Sequence, residues 1–281
     1  MSRIIFFDID GTLRDEAYGI PETTKVAIEA CKANGYYICL CTGRAIGTIP
    51  DDVFDLNVDG VIAGGGSYIE FQDKIFKNDF FSRDKIEKVK QYLEGEQDDI
   101  AFTFETEENV FINKEGVKIL SCLNEEKFKY LSDQEKSVAE ENQKIIYENN
   151  INKFDSSIHN VNKICLWSVK GVFKNIENII SKENMQLCQN FNFDNRNYYE
   201  IIQSGCNKGE AIIELCNNLS IPINETIAFG DGRNDIDMLK TVGIAIGVEN
   251  GSEEIFQHVD SICEEPMKDG IYLELKRRNI I

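Results

Sequence analysis

Five short apolar segments, each followed within two residues by a glycine, constrain the fold of this chain more than any other feature. They cover residues 3–9, 36–41, 60–63, 226–229 and 243–246. Continuous apolar runs of this length are typical of parallel strands whose two faces are both covered by helices. Helical patterns over residues 21–34 and 208–219 alternate with these segments. The alternation predicts an α/β fold built on a doubly wound, Rossmann-like parallel sheet.

The middle of the chain has a different pattern and predicts an inserted domain. Longer, charged helical segments cover residues 82–96 and 125–147, and strand-like segments cover residues 100–104 and 163–169. The parallel-sheet pattern returns at residue 208. We therefore predict that residues 1–81 and 197–281 form the two parts of one α/β core. Residues 82–196 are predicted to form an inserted α+β domain.

The charge balance argues against two classes of partner. With 30 Lys and Arg residues against 49 Asp and Glu residues, the formal net charge of -19 opposes the backbone of nucleic acids and the anionic face of a membrane. The same charge repels an anionic substrate. Any phosphate site in this chain must therefore be made locally positive by a metal, a lysine or backbone amides.

Cysteine content and hydropathy predict a cytoplasmic protein. The nine cysteines lack the paired CxxC spacing of zinc sites, and most lie in apolar segments, as is typical of reduced, buried thiols. The apolar run at the start is shorter than that of a signal peptide and ends in acidic residues. No segment approaches the roughly 20 apolar residues of a membrane span.

Two acidic motifs follow predicted strands. Residues 8–12 (DIDGT) place the carboxylates of Asp8 and Asp10 where a buried strand runs into a glycine turn. Residues 230–235 (GDGRND) place Asp231 and Asp235 after another strand. Parallel sheets bind ligands at the carboxyl ends of their strands, and carboxylate oxygens suit Mg²⁺. Either motif alone could be an ordinary acidic turn, but their joint occurrence favours a functional site.

Two smaller elements supply groups that a phosphate needs. Thr42 and Gly43 follow the second predicted strand and offer a hydroxyl group and a backbone N–H. Lys208 begins a predicted helix and adds a positive charge. Each element is weak evidence by itself, because a Thr-Gly turn and a surface lysine are usually structural.

In their order and spacing, these four elements resemble the haloacid dehalogenase-like (HAD) superfamily, and within it the Cof-type phosphatases with a type IIB cap domain. The resemblance covers most of the chain. It implies a HAD core with an inserted α+β cap over residues 82–196. It also implies a Mg²⁺-dependent phosphatase that hydrolyses small phosphorylated metabolites, such as sugar phosphates, through an aspartyl-phosphate intermediate.

The resemblance also implies a role for each motif residue. Asp8 is expected to be the nucleophile, and Asp10 to act first as general acid and then as general base. The side chains of Asp8 and Asp231 and the backbone carbonyl of Asp10 are expected to bind Mg²⁺. Asp235 is expected to hold water ligands of the metal or Lys208. The phosphate is expected to contact the backbone N–H of Ile9, Thr42, the backbone N–H of Gly43, Lys208 and Asn234.

The chain departs from the family pattern in two places. Residues 65–67 (GGS) stand where relatives commonly have Asn-Gly-Ala, and residues 246–248 (IGV) stand where they commonly have Met-Gly-Asn. Neither change removes an expected catalytic group. The first removes a side chain near the expected cap interface. The substrates of relatives are therefore not assigned to this chain from its sequence.

Two other functions stay open at this point. A sugar phosphomutase of the same superfamily would share the paired aspartates but would retain the phosphoryl group. A binding or signalling module would accept phosphate on Asp8 without turnover, as receiver domains do. Asp10 argues against the module, because an acid–base group beside the acceptor promotes hydrolysis. The expected partner of the phosphatase is a small-molecule phosphate ester.

Overall fold

Two separate sheets organise the part of the chain that the computed structural model describes, residues 3–15, 17–95, 100–127, 129–132, 136, 150–169, 174–193 and 196–281. Contacts between residues divide the chain into two units. The first contains Met1–Gly43, Ile49–Asn78 and Cys206–Ile281, and the second contains Arg44–Thr48 and Asp79–Gly205. The domain limits expected at residues 82 and 196 remain a prediction.

The first unit contains an eight-stranded sheet. Its strands are β1 (Arg3–Phe7), β2 (Tyr36–Cys41), β3 (Gly60–Ala63), β4 (Tyr68–Phe71), β5 (Lys74–Asn78), β11 (Thr226–Gly230), β12 (Ile244–Val248) and β13 (Ser261–Cys263). Its helices are α1 (Glu22–Ala33), α2 (Asp51–Phe54), α6 (Lys208–Leu219), α7 (Ile236–Thr241) and α8 (Gly270–Arg277). The strand order is β13-β12-β11-β1-β2-β3-β4-β5.

Parallel pairing runs through the six strands from β13 to β3. The residues from Ile4 to Phe7 in β1 are all fully buried, as expected for a strand with both faces covered. Helix α6 packs Ile212 and Leu215 against Ile4 and Phe6 in one apolar cluster. The parallel α/β core predicted from the sequence is therefore confirmed.

An antiparallel hairpin, β4 and β5, extends the sheet beyond β3. Its two-residue turn places Gln72 at φ 48 and Asp73 at φ 60. Two positive φ values are those of a type I′ turn, which matches the twist of the flanking strands. This hairpin was not predicted from the sequence, because Gln72 stands where such turns usually have asparagine or aspartate.

The second unit contains a five-stranded antiparallel sheet in the order β7-β6-β8-β10-β9. Its strands are β6 (Ile100–Thr106), β7 (Val110–Ile112), β8 (Val161–Val169), β9 (Met185–Phe193) and β10 (Arg196–Gln203). The described helices of this unit are α3 (Arg83–Gly95), α4 (Lys114–Lys127) and α5 (Lys174–Lys182). Together they confirm the mixed α+β character expected for the middle of the chain.

One face of this second sheet is apolar, and the other combines a smaller apolar cluster with buried charges. Phe104, Ile164 and Ile201 belong to the apolar cluster that includes residues of α3 and α5. On the opposite face, the ammonium group of Lys163 lies 2.9 Å from Glu200 and 3.3 Å from Glu105.

Helix α3 matches the helix predicted over residues 82–96, whereas most of the helix predicted over residues 125–147 lies outside the described residues. Of the helices that the structure describes, none is both long and apolar enough to cross a membrane.

A glycine turn after β3 brings the backbone close to the start of α6. Gly66 has a φ of +100, and a Cβ atom placed on it would lie 2.5 Å from the carbonyl oxygen of Asn207. Asn207 is the N-cap of α6, and its side chain accepts a hydrogen bond from the backbone N–H of Glu210. The absence of a side chain at Gly66 therefore permits the close packing that positions this helix end.

We predict that Gly66→Ala lowers the free energy of unfolding by about 3 kcal/mol or more, because a strained φ and a backbone clash act together. Gly35→Ala is the matched control: Gly35 has a φ of +83, but a Cβ atom there would meet nothing within 4 Å. The control is expected to cost about 1 kcal/mol, from φ strain alone. Urea denaturation of both variants measures the difference, and equal costs would contradict the packing argument.

Candidate active site

The two acidic motifs meet at one edge of the first sheet. Strands β1 and β11 are parallel neighbours with Phe7 opposite Phe229, and Asp8 and Asp231 each follow the end of its strand. The backbone N–H of Asp8 donates to the carbonyl oxygen of Phe229 at 3.0 Å, which extends the pairing to the first residue of the motif. One carboxylate oxygen from each of Asp8, Asp231 and Asp235 lies within 4.8 Å of the others.

Lys208 lies between two of these carboxylates. Its ammonium nitrogen is 2.5 Å from Asp8 Oδ1 and 2.5 Å from Asp235 Oδ1. The side chain is almost fully buried although lysine is usually exposed. Lys208 is the first residue of α6. The Asn207 cap and the close approach of Gly66 therefore position the helix end that carries Lys208.

Asp235 is fully buried, and both its oxygens are engaged within the protein. Oδ1 accepts from Lys208, and Oδ2 accepts from the backbone N–H groups of Asp231 at 3.0 Å and Gly232 at 2.9 Å. These contacts close the turn after β11. Asp235 thereby holds both Lys208 and the backbone that carries Asp231.

Thr12 and Gly11 shape the surroundings of Asp231. The hydroxyl group of Thr12 donates to Asp231 Oδ1 at 2.7 Å. Gly11 has a φ of +78, and a Cβ atom placed on it would lie 2.5 Å from Asp231 Oδ2. Neither residue was expected to have a role, although both belong to the first motif. The signal was the DIDGT motif itself, whose glycine and threonine contact the carboxylate of the second motif.

The residues expected to contact phosphate are brought together in part. Thr42 is buried and follows β2, the parallel neighbour of β1, so it lies at the same sheet edge as Asp8. A Cβ atom placed on Gly43 would lie 3.4 Å from Asn234 Nδ2, which makes these two residues neighbours. Ile9 is fully buried. Asp10 is half-buried and lies outside the group formed by the other three carboxylates.

Burial and like charge raise the pKa values of Asp8 and Asp231. Burial, with Asp235 and Asp231 nearby, raises the pKa of Asp8 well above its usual value, although Lys208 opposes this shift. Burial and Asp235 raise the pKa of Asp231 to about 7. Burial by itself would lower the pKa of Lys208, but Asp235 and Asp8 raise it, so the ammonium group stays protonated.

The donor set fits a hard divalent cation. Asp8, Asp231 and Asp235 each offer a carboxylate oxygen, and these oxygens lie close enough to share one ion. Mg²⁺ is bound by one or two carboxylates and keeps several waters, which agrees with the half-buried position of Asp231. A cation at this position would lower the raised pKa values of Asp8 and Asp231.

Comparison with known proteins agrees with this arrangement of motifs. The sequence model of the haloacid dehalogenase-like hydrolases matches residues 5–275. The chain belongs to this family. It is therefore a HAD-like hydrolase, as the four motifs indicated.

Curated relatives of this HAD-like hydrolase match most or all of its length. YkrA of Bacillus subtilis (strain 168), named as a candidate phosphatase, is 21% identical over 284 residues, which cover 100% of this chain and 99% of YkrA. YxeH of the same organism, also named as a candidate phosphatase, is 23% identical over 269 residues. This match covers 92% of this chain and 91% of YxeH.

Solved structures share the fold of the HAD-like hydrolase. A hypothetical protein of Geobacillus kaustophilus HTA426 has a TM-score of 0.79 at 22% identity, with 100% of both chains covered. A sugar phosphatase of HAD subclass IIB has a TM-score of 0.73 at 21% identity, with 99% of this chain and 100% of that chain covered. These likenesses confirm the predicted HAD fold.

We predict that the free energy of unfolding of the wild type, compared with that of the Asp231→Asn variant, falls as the pH rises from about 4 to about 7. The comparison is made in excess chelator. The folded state raises the pKa of Asp231 to about 7 and therefore binds more protons than the unfolded state over this range. The free energy of unfolding falls by up to about 1.4 kcal/mol per pH unit while this group is ionised in the unfolded state and still protonated in the folded state.

Urea denaturation of both proteins at several pH values measures this difference. Added Mg²⁺ should stabilise the wild type more at the upper end of the range, because ionised carboxylates bind the cation, and should stabilise Asp231→Asn much less. Parallel pH dependence in the two metal-free proteins would show that Asp231 does not titrate in this way.

Proposed function

We propose that this HAD-like hydrolase is a Mg²⁺-dependent phosphatase that hydrolyses small phosphomonoesters through an aspartyl-phosphate formed on Asp8. The observation that carries the proposal is the environment of the Asp8 carboxylate. It stands at the carboxyl end of β1, with the Lys208 ammonium group 2.5 Å away and with Asp231 and Asp235 beside it. A buried carboxylate held in this way has a defined direction of attack.

In the first step, a carboxylate oxygen of Asp8 attacks phosphorus in line with the leaving group. The new bond joins Asp8 to phosphorus, and the bond between phosphorus and the ester oxygen breaks. Asp10, protonated at this stage, gives its proton to the departing oxygen, so that an alcohol leaves instead of an alkoxide. The position of Asp10 two residues after the nucleophile, outside the carboxylate cluster, supports a separate role as acid.

In the second step, Asp10 acts as a base. Its carboxylate takes a proton from a water molecule, whose oxygen attacks phosphorus while the bond to Asp8 breaks. Inorganic phosphate is released, and Asp8 and the protonated Asp10 are restored. One group thereby serves both steps, as microscopic reversibility allows.

The negative charge of the transferring phosphoryl group requires a positive surrounding. Lys208 supplies a full charge, and its contacts with Asp8 and Asp235 hold it in place. We assign the remaining contacts to the phosphate oxygens to Thr42, the backbone N–H groups of Ile9 and Gly43, and Asn234. The closeness of Gly43 and Asn234 supports their sharing one ligand group.

We assign Mg²⁺ to the side chains of Asp8 and Asp231 and the backbone carbonyl of Asp10. When bound, the ion would neutralise charge on the phosphate and keep Asp8 ionised. Thr12 orients Asp231 toward this role through its hydrogen bond to Oδ1. Asp235, whose oxygens are engaged by Lys208 and the backbone, is assigned to holding these groups.

We propose sugar phosphates or similar small metabolites as the substrate class. The likeness to a sugar phosphatase of HAD subclass IIB supports this class. The net charge of -19 argues against a nucleic-acid or membrane partner. We also propose that the protein acts in the cytoplasm, since most of its nine cysteines are buried, as is typical of reduced thiols.

We predict that the purified protein releases inorganic phosphate from p-nitrophenyl phosphate and from members of a panel of phosphorylated metabolites. Release should require Mg²⁺ and stop in excess chelator. Asp8→Asn should reduce it at least about 10³-fold, because an amide is a poor nucleophile. A phosphate-release assay with and without chelator measures these effects, and the best panel member names the substrate class.

Asp231→Asn is the matched control for this assay, since it removes one metal ligand and keeps the nucleophile. Its activity should recover in part at high Mg²⁺, whereas that of Asp8→Asn should not. A wild type that converts a phosphosugar into an isomer without releasing phosphate would instead support the mutase function. A wild type that retains phosphate on Asp8 without turnover would support the binding module.

A further inference from the structure

Arg14 is a buried arginine beside the active site that the proposed mechanism does not use. Its side chain is 3% exposed. Nε and Nη2 are both buried and have no hydrogen-bond partner among the described residues. Burying a guanidinium group without full pairing is unfavourable, so a purely structural role would be better served by an apolar side chain.

The guanidinium group lies between two carboxylates of the same unit. Nη1 is 3.9 Å from Asp10 Oδ1, and Nε is 3.4 Å from Asp52 Oδ2. Asp52 Oδ1 is itself buried and without a hydrogen-bond partner in the described part of the chain. Both ion pairs are slightly longer than a hydrogen bond. A small rotation of Arg14 would convert either pair into a charge-assisted hydrogen bond.

The backbone holds Arg14 at a fixed place relative to Asp10. The backbone N–H of Gly11 donates to the Arg14 carbonyl oxygen at 3.0 Å, and the Arg14 N–H donates to the carbonyl oxygen of Ile9 at 3.0 Å. These bonds close the turn that carries Asp10. Asp52 comes from α2, a different element of the sheet unit, and faces the Nε side of the guanidinium group, whereas Nη1 faces Asp10.

We propose that Arg14 is a positioning residue for Asp10. Its guanidinium group orients the carboxyl group of Asp10 toward the leaving oxygen of the substrate, and Asp52 orients Arg14. The planar fork of arginine suits this task because it offers several donors in a fixed geometry to two carboxylates. The inference rests on the proposed function, since it requires Asp10 to act as the proton donor.

Two substrates with different leaving groups separate this role from a structural one. An alkyl phosphate, such as a sugar phosphate, releases an alkoxide that needs a proton, whereas p-nitrophenyl phosphate releases a stable phenolate that does not. The ratio kcat/KM covers the steps up to cleavage of the ester bond. Loss of the proton donor therefore lowers kcat/KM for the alkyl phosphate alone, whereas general damage to the site lowers both values.

We expect Arg14→Met to lower kcat/KM for the alkyl phosphate about 100-fold and to lower that for p-nitrophenyl phosphate by less than about threefold. Asp10→Asn should show the same selectivity with a larger loss. Arg14→Lys should recover part of the activity on the alkyl phosphate, because it restores the charge but not the fork. Asp52→Asn should also lower kcat/KM for the alkyl phosphate more than that for p-nitrophenyl phosphate, by a smaller factor. If Arg14→Met does not fold, Asp52→Asn provides the same test.

Thermal unfolding of the same variants gives a second, independent readout. Arg14→Met is expected to melt at the same temperature as the wild type or higher, because an apolar side chain replaces a poorly paired buried charge. Equal losses on both substrates, or no loss on either, would overturn the inference while leaving the proposed function intact. A wild type that releases no phosphate would overturn the proposed function and this inference together.

Discussion

The contact of Lys208 with Asp8 and Asp235 is the interaction on which the rest of the site depends. It joins the ends of three elements, β1, α6 and the turn after β11, through a single buried ammonium group. Two carboxylates so close together in a buried place would otherwise repel each other strongly. With Lys208 between them, Asp8 and the turn that carries Asp231 are fixed relative to one another.

The site also depends on backbone segments that approach one another closely, and glycines permit this approach. Gly11 lets the turn after β1 lie against Asp231, and Gly66 lets the turn after β3 lie against the first residues of α6. Any side chain at either position would push apart elements that must meet at one sheet edge. Burial and like charge raise the pKa values of Asp8 and Asp231, so the ionised forms of these two carboxylates disfavour the folded state.

Much of the fold and of the site could be predicted from the sequence, because the relevant signals are local. The apolar runs predicted β1, β2 and β3 within a few residues, and the pattern of α6 matched its observed limits. The type I′ hairpin was missed because Gln72 is an unusual residue at a positive φ. Arg14 was missed because a lone arginine after a motif carries no signal until its burial is known.

The sequence by itself determined which chemical groups are available and which end of the sheet they occupy. Strand periodicity and the glycine turns after each strand decide that Asp8, Asp231 and Thr42 follow strands of one parallel sheet. Only the tertiary structure decided the pairings: Lys208 with Asp8 and Asp235, Thr12 with Asp231, and Arg14 between Asp10 and Asp52. These partners are distant in sequence or depend on burial, and both properties arise from packing and not from local pattern.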